Sequence, residues 1–135
     1  MMKKITGNKF GAKKVVTAEG TFASIHEYQR WLELRLLERT GKIFNLKKQV
    51  PYELIPAQRE VSTEVYKAGP QKGLPKPGVV IELSTKYVAD FVYEDEHGKL
   101  VVEDAKGLKK GAAYDLFVIK RKLMLERHGI RIREV

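Results

Sequence analysis

Apolar residues recur at helical spacing in two segments of the chain. The first segment carries Ile25, Tyr28, Trp31, Leu32, Leu36 and Leu37, and the second carries Ala113, Leu116, Phe117, Leu123 and Met124. Ser24 followed by Glu27 matches a capping box, so the first helix is predicted to begin there and to end at Gly41. The second helix is predicted over residues 112–128, with Gly129 as its stop.

Alternating apolar and polar residues predict strands in the rest of the chain. Residues 43–55 indicate one or two strands, broken or bulged at Pro51 because proline cannot donate to a sheet. Residues 130–135 predict a closing strand, and a short strand or turn is expected around residues 15–16. Residues 56–78 contain four prolines and three glycines, which predicts a functional or disordered loop holding a short strand at residues 61–66.

One β-hairpin is the most informative element. Residues 87–93 and 100–107 are apolar and β-branched, and the segment between them is acidic with a glycine near its end. A loop of four or five residues centred near His97 places Asp90 opposite Asp104 or one residue from it. Side chains directly opposite each other lie about 5 Å apart between Cβ atoms, and like charges there are destabilising.

These facing carboxylates predict a bound divalent cation. Mg²⁺ prefers oxygen ligands and keeps several waters, so Asp90 and Asp104 with the backbone carbonyl of Ala105 are expected to hold it. Alternation puts Lys106 on the same face as Asp104 and turns Glu103 away. A lysine beside the bound water stabilises developing charge on a phosphate or helps to orient and deprotonate the water.

Charge adds a preference for an anionic partner. The 135 residues carry a formal net charge of +9. Residues 1–20 have a net charge of +4 and residues 106–135 of +6, whereas the middle of the chain has −1. Such a basic excess favours a polyanion such as DNA, with simple solubility as the plainer explanation.

The basic residues supply candidate phosphate contacts. These are Lys3, Lys4, Lys13 and Lys14 in a basic N-terminal arm over residues 1–20, Lys72 in the long loop, and Lys109, Lys110, Lys120 and Lys122 near the second helix. The absence of cysteine excludes disulfides, thiolate metal sites and cysteine nucleophiles, and fits a reducing cytoplasm. No apolar run approaches the roughly 20 residues that cross a bilayer, so no membrane partner is expected.

The spacing of the hairpin residues resembles a known signature. Asp90, a gap of thirteen residues and then Asp104-Ala105-Lys106 resembles the PD-(D/E)XK motif of restriction-endonuclease-like nucleases. The predicted order of elements resembles their αβββαβ core. The fold class expected is therefore α/β, one nuclease domain over residues 1–135 with helices flanking a mixed central sheet.

A finer pattern resembles a small phage-type family of predicted endonucleases that is similar to the RecU and archaeal Hjc Holliday-junction resolvases. It comprises Ser24-x-x-Glu27, Asn45-Leu46-x-x-Gln49-x-x-Tyr52-x-Leu54, Tyr87-x-Ala89-Asp90-Phe91, Val102-Glu103-Asp104-x-Lys106-Gly107 and Tyr114. One departure is Ala89, where the superfamily often has proline. The resemblance implies a magnesium-dependent homodimer, with Mn²⁺ as a substitute metal, that cuts four-way DNA junctions in the cytoplasm of a cell or of a phage host.

The resemblance also implies roles for two residues outside the hairpin. An acid on the first helix commonly completes the metal site, and Glu27 is the best match, although helix capping is an equal alternative. Gln49 is expected to contact the water or phosphate, or else to be an ordinary polar strand residue. Two other functions stay open: a nuclease of this fold acting on other DNA structures, and a non-catalytic DNA-binding module.

Overall fold

A computed structural model describes residues 2–7 and 13–135 of the chain, with side chains described from Lys13 onward. The elements are β1 Met2–Gly7, β2 Lys13–Thr17, β3 Gly20–Phe22, α1 Ile25–Arg39, β4 Phe44–Ile55, β5 Gln58–Arg59, β6 Val80–Glu82, β7 Thr85–Glu94, β8 Leu100–Asp104, α2 Ala112–His128 and β9 Arg133–Glu134. In this part of the chain, neither helix has the length and apolar character needed to cross a bilayer.

A mixed four-stranded sheet lies at the centre, in the order β4-β7-β8-β9. Its strands pair antiparallel except β9, which runs parallel to β8. One apolar cluster joins one face of the sheet to α1, and a second joins the other face to α2. The order α1, β4, β7, β8, α2, β9 is the αβββαβ order that the sequence predicts, and the α/β class is confirmed.

Helix α1 begins as predicted, because the Ser24 hydroxyl accepts the N–H of Glu27 at 3.1 Å. Its expected apolar face is partly wrong. Ile25, Leu32 and Leu36 are exposed, while Leu34, absent from that face, is fully buried. The helix is rotated so that Trp31 and Leu34 meet the sheet, and the same rotation buries Glu27.

Helix α2 has the predicted bounds and ends at Gly129, whose positive φ of 67° suits glycine. The closing strand is shorter than predicted and comprises only Arg133–Glu134. The reason is that the N–H of Ile130 completes the end of α2 by donating to the carbonyl of Met124. The chain joins the edge of β8 only after that turn.

The described parts of the N-terminal segment, residues 2–7 and 13–22, contain three strands, where the sequence predicted a basic arm over residues 1–20. Strands β1, β2 and β3 form an antiparallel sheet, which includes the strand expected around residues 15–16. Val15 and Phe22 are buried against α1, which ties this small sheet to the core. The side chains of Lys3 and Lys4 lie outside the described part of the structure.

Strand β4 is continuous through Pro51, which is aligned with Val88, so the predicted break there is wrong. β4 is an edge strand of the sheet. Proline is tolerated in an edge strand because one side of that strand has no partner to which an N–H must donate. The register shifts lie instead near the two ends of the strand. Positive φ values of 55° occur at Asn45 and Gln49.

The long loop forms a two-stranded extension. Strands β5 and β6 pair antiparallel at its base, and the N–H of Tyr66 donates to the carbonyl of Leu74 nearer its tip. The strand expected over residues 61–66 is reduced to a single bridge between Val65 and Pro75. Val61 is 97% exposed, so this segment has no core to pack against.

A buried ion pair fastens α1 to β8. Arg30 donates from Nε to Oε1 of Glu103 at 2.9 Å and from Nη2 to Oε2 at 2.7 Å. Glu103 is fully buried, and it also accepts a short hydrogen bond from the Tyr93 hydroxyl. Arg133 lies 3.6 Å from the same carboxylate. Bidentate pairing of this kind fixes the helix relative to the strand.

Replacing Arg30 should therefore be costly. We expect Arg30→Met to lower the free energy of unfolding by about 3 kcal/mol, because it leaves the Glu103 carboxylate buried with less compensation. Urea denaturation measures the loss. The matched control is Arg127→Met, which removes an exposed pair with Glu53 at 3.8 Å and should cost less than about 1 kcal/mol. Equal losses in the two variants would contradict the structural role of the buried pair.

Candidate active site

The hairpin of β7 and β8 has the predicted register. Phe91 is aligned with Glu103 and Glu94 with Leu100, which leaves a five-residue turn centred on His97. Continuing this register by one pair sets Asp90 opposite Asp104.

The turn itself is closed by an acidic side chain. The carboxylate of Asp95 accepts the N–H groups of His97 and Lys99. The acidic turn is thus stabilised by its own hydrogen bonds, and it fixes which residues of the two strands face each other.

The regular alternation of side chains breaks where the carboxylates meet. Tyr87 and Ala89 pack in the α2 cluster, whereas Phe91 and Tyr93 pack in the α1 cluster. Strict alternation would keep all four on one face. The change of face therefore falls at Asp90.

Strand β4 changes face at the neighbouring position. Lys48 lies 4.9 Å from the Trp31 ring centroid on the α1 side, whereas Val50 packs in the α2 cluster. Between them, Gln49 adopts the positive φ of 55°, an uncommon conformation for a residue other than glycine. Gln49 and Asp90 thus sit side by side at a local break in the sheet.

Asp104 and Lys106 form an ion pair within the cluster. The Lys106 Nζ lies 2.8 Å from Oδ1 of Asp104, which is 4% exposed. The Tyr87 hydroxyl donates to Oδ2 of Asp104 at 2.7 Å. Lys106 also lies over the Phe117 ring of α2, 4.1 Å from its centroid. Asp104 and Lys106 share a face, as the alternation predicts.

Asp90 is held by a backbone group and an amide. Its Oδ2 accepts the N–H of Ala105 at 2.8 Å, and its Oδ1 accepts from Nε2 of Gln49 at 3.3 Å. The same Nε2 lies 3.2 Å from Oε1 of Glu27. Gln49 therefore links two carboxylates. Ala105 contributes its N–H here, whereas the sequence pointed to its carbonyl.

Glu27 serves the helix and the cluster at once. Its Oε2 accepts the N–H of Ala23 at 3.1 Å, which completes the helix cap. Its Oε1 faces Gln49, and the side chain lies in the same cleft as Asp90 and Asp104. Capping and membership of the cluster, the two alternatives for this residue, are compatible because each uses a different oxygen.

Two of these carboxylates, Glu27 and Asp90, have pKa values above the usual range. Burial, followed by the charge of Asp90, raises the pKa of Glu27 to about 7. Burial, followed by the charge of Asp104, raises the pKa of Asp90 to about 6. Burial and the adjacent Asp104 also raise the pKa of Tyr87 well above its usual range. Burial is the larger cause of each shift, and the neighbouring acid adds to it.

The donor types fit a hard cation such as Mg²⁺, since Glu27, Asp90 and Asp104 supply only oxygen ligands. Within residues 13–135, however, no group of three or more acidic, histidine or cysteine side chains is already arranged around a common point. The carboxylate oxygens instead contact Lys106 and neighbouring N–H and hydroxyl donors. The oxygen ligands of the cluster suit a metal ion, but in this structure the carboxylates accept hydrogen bonds from groups of the protein itself.

Two clefts meet at this cluster. The main cleft has a volume of about 380 Å³ and contains Asp104, Lys106 and Lys120. A second cleft of about 270 Å³ contains Lys14 and Gln49. Glu27, Asp90 and Ala23 line both.

The remaining predicted phosphate contacts lie elsewhere. Lys13, Lys72, Lys109, Lys110 and Lys122 are exposed and line neither cleft. Tyr114 donates to Glu134 at 2.7 Å and packs on Phe117, which makes it part of the α2 core.

Sequence reasoning missed Tyr87 as a member of the site. Alternation assigns Tyr87 and Asp90 to opposite faces, because they are three residues apart on one strand. The break at Asp90 brings both side chains to the same cleft. No sequence signal marks that break, although Tyr87 itself stands in the pattern that resembles the phage-type endonucleases.

The chain belongs to a protein family described as "Protein of unknown function (DUF1064)", whose model matches residues 7–133. No curated protein and no solved structure matches the chain significantly. The family description names no activity, so the function has to follow from the residues of the cleft.

The raised pKa of Glu27 predicts a pH-dependent stability in EDTA. The folded protein binds more protons than the unfolded chain between about pH 4.5 and 7, so the free energy of unfolding falls as pH rises through that window. Glu27→Gln keeps the cap and removes the titration. Relative to this variant, the wild type should lose about 2 kcal/mol between the two ends of the window. If the free energy of unfolding changed with pH in the same way in the wild type and in Glu27→Gln, the pKa of Glu27 would not be raised by folding.

Proposed function

We propose that this member of the family is a metal-dependent, structure-selective DNA endonuclease whose preferred substrate is the four-way Holliday junction. One observation carries the proposal. Asp90, Asp104 and Glu27 converge on a single open cleft with Lys106 paired to Asp104. Acids that can hold a metal, beside a lysine that can stabilise negative charge, are suited to the hydrolysis of a phosphodiester.

The roles follow from the contacts. Asp90, Asp104 and Glu27 would hold Mg²⁺, with Mn²⁺ as a substitute. When bound, the metal would lower the pKa of a coordinated water and neutralise negative charge on the phosphate. Gln49 keeps Glu27 and Asp90 together by contacting both carboxylates.

Lys106 is the proposed catalytic lysine. Asp104 and the Phe117 ring hold its ammonium group at the cleft. In hydrolysis, the oxygen of a water adds to phosphorus and the water loses a proton to solvent. The bond from phosphorus to the leaving oxygen breaks, and that oxygen takes up a proton from solvent. The phosphate oxygens gain negative charge in the transition state. The Lys106 ammonium is suited to stabilise that charge and to orient the water.

The substrate and assembly draw on the resemblance to resolvases. The formal net charge of +9 supports a polyanionic partner. A four-way junction presents two opposed strands for cutting, and two copies of one active site match that symmetry. We therefore propose a homodimer acting on DNA in the cytoplasm.

A second candidate function is a DNA-binding module without catalysis. A specific observation favours it. The carboxylates of the cluster already have donors from Lys106, Tyr87, Ala105 and Gln49, and no preformed three-ligand group is present in the part of the chain with described side chains. In that case the cluster would stabilise the fold, and cutting would be absent with any metal.

Cleavage of a labelled four-way junction distinguishes these functions. We expect paired symmetric cuts near the junction centre in Mg²⁺ or Mn²⁺ and no cutting in EDTA, because the carboxylates need a counter-cation to act on a phosphate. Linear duplex and single strand serve as matched substrates. Equal cutting of all three would keep the nuclease and remove the junction preference. Binding without cutting in either metal would favour the non-catalytic module.

Neutralising Asp104 should separate binding from cutting. We expect Asp104→Asn to lower the cleavage rate at least about a hundredfold while DNA affinity is retained or improved, because one repulsive charge is lost. Gel shift in EDTA measures binding. Asp115→Asn, an exposed acid on α2 outside both clefts, is the control. Full metal-dependent activity in Asp104→Asn would refute the assignment of the site.

A further inference from the structure

We propose that a DNA strand crosses the carboxylate cluster from Lys120 to Lys14, with one of these lysines on each side of the phosphate that is cut. The inference rests on the proposed nuclease function and goes beyond it. It names two lysines that hold the strand on opposite sides of the reacting phosphate, and it selects them from the nine lysines that the sequence offers as candidates.

The two clefts have a common wall. Glu27, Asp90 and Ala23 line both of them, so each cleft opens from the same row of residues. The main cleft runs from this wall to α2, where it reaches Lys120. The second cleft runs from the wall to β2, where it reaches Lys14. A ligand that fills both clefts must pass over the carboxylates.

The proposed course of the strand, through the two clefts from Lys120 to Lys14, has acidic side chains between two lysines. The acidic side chains of Glu27 and Asp90 line both clefts, and Asp104 and Lys106 line the main cleft. Each cleft has one further lysine that the other lacks, Lys120 in the main cleft and Lys14 in the second. Neither Lys14 nor Lys120 forms an ion pair with a residue whose side chain is described. Phosphates spaced along a strand match this order, because the outer two meet cations and the central one meets the catalytic groups.

The course also has an apolar side. Phe117, Leu116 and Ala113 of α2 line the main cleft, and Leu116 is 54% exposed. Such a surface suits the sugar and base of a nucleotide next to the reacting phosphate. An enzyme that removes terminal nucleotides needs room on only one side of its catalytic groups. Here both sides are open, which fits a strand that continues in each direction.

Phosphate neutralisation tests the course in a binding assay. Fluorescein-labelled four-way junctions are prepared with one methylphosphonate on either side of the mapped cut, and affinity is measured in Ca²⁺. Each neutral phosphate should weaken wild-type binding about threefold, the effect of losing one phosphate contact. Lys14→Ala should lose its response to one modified phosphate, and Lys120→Ala its response to the phosphate on the other side.

Two exposed lysines outside the clefts provide controls. Lys42 follows the far end of α1, and Lys99 lies in the hairpin turn. Lys42→Ala and Lys99→Ala should respond to both modified phosphates as the wild type does. If Lys14→Ala and Lys120→Ala lose their response to the same phosphate, or to neither, the proposed course is wrong.

A covalently closed DNA circle that folds into a four-way junction tests the internal cut. Linearisation of the circle in Mg²⁺ supports the inference. Trimming of linear DNA with no action on the circle overturns the proposed endonuclease function together with this inference. Failure of the wild type to bind or cut any DNA has the same consequence. Linearisation of the circle, together with Lys14→Ala and Lys120→Ala variants that keep the wild-type response to both modified phosphates, overturns the inference alone, so the two failures are distinguishable.

Discussion

The pairing of β7 with β8 holds Asp90 against Asp104, and the site is organised around that repulsion. The hairpin turn sets the register of the two strands, and continuing that register by one pair places the backbones of Asp90 and Asp104 opposite each other. Neighbouring donors stabilise the two carboxylates. Lys106 and Tyr87 donate to Asp104, and the N–H of Ala105 donates to Asp90. Even so, burial, followed by the charge of Asp104, raises the pKa of Asp90 to about 6. A protein keeps such a costly arrangement where the charge has a use.

Two neighbouring acids on β8 show how position decides the role of a carboxylate. Glu103 faces α1, where Arg30 pairs with both of its oxygens, and it is fully neutralised inside the core. Asp104 faces the opposite side and opens onto the main cleft. The first carboxylate joins helix to strand, and the second is available for chemistry. Arg30 lies one helical turn after Glu27, so the structural pair also keeps Glu27 near the cluster.

Local signals predicted the elements that local interactions determine. The hairpin follows from its acidic turn, α1 from the bond of Ser24 to Glu27, and the grouping of Asp104 with Lys106 from strand alternation. Features set by tertiary packing escaped prediction. The buried face of α1 depends on how the helix meets the sheet, and the place of Tyr87 in the site depends on a break in alternation. Neither the rotation nor the break has a signature in the order of residues.

In the proposed nuclease, Glu27, Asp90 and Asp104 together bind a divalent cation in competition with protons. Calorimetric titration of the DNA-free protein with Mn²⁺ tests it most directly, at about pH 5.5 and about pH 7.5. Metal binding requires ionised carboxylates, so we expect the affinity for Mn²⁺ to be at least about tenfold tighter at the higher pH. We also expect an Asp90→Asn/Asp104→Asn double variant to lose Mn²⁺ binding. No binding at either pH, or unchanged binding in the double variant, would contradict it.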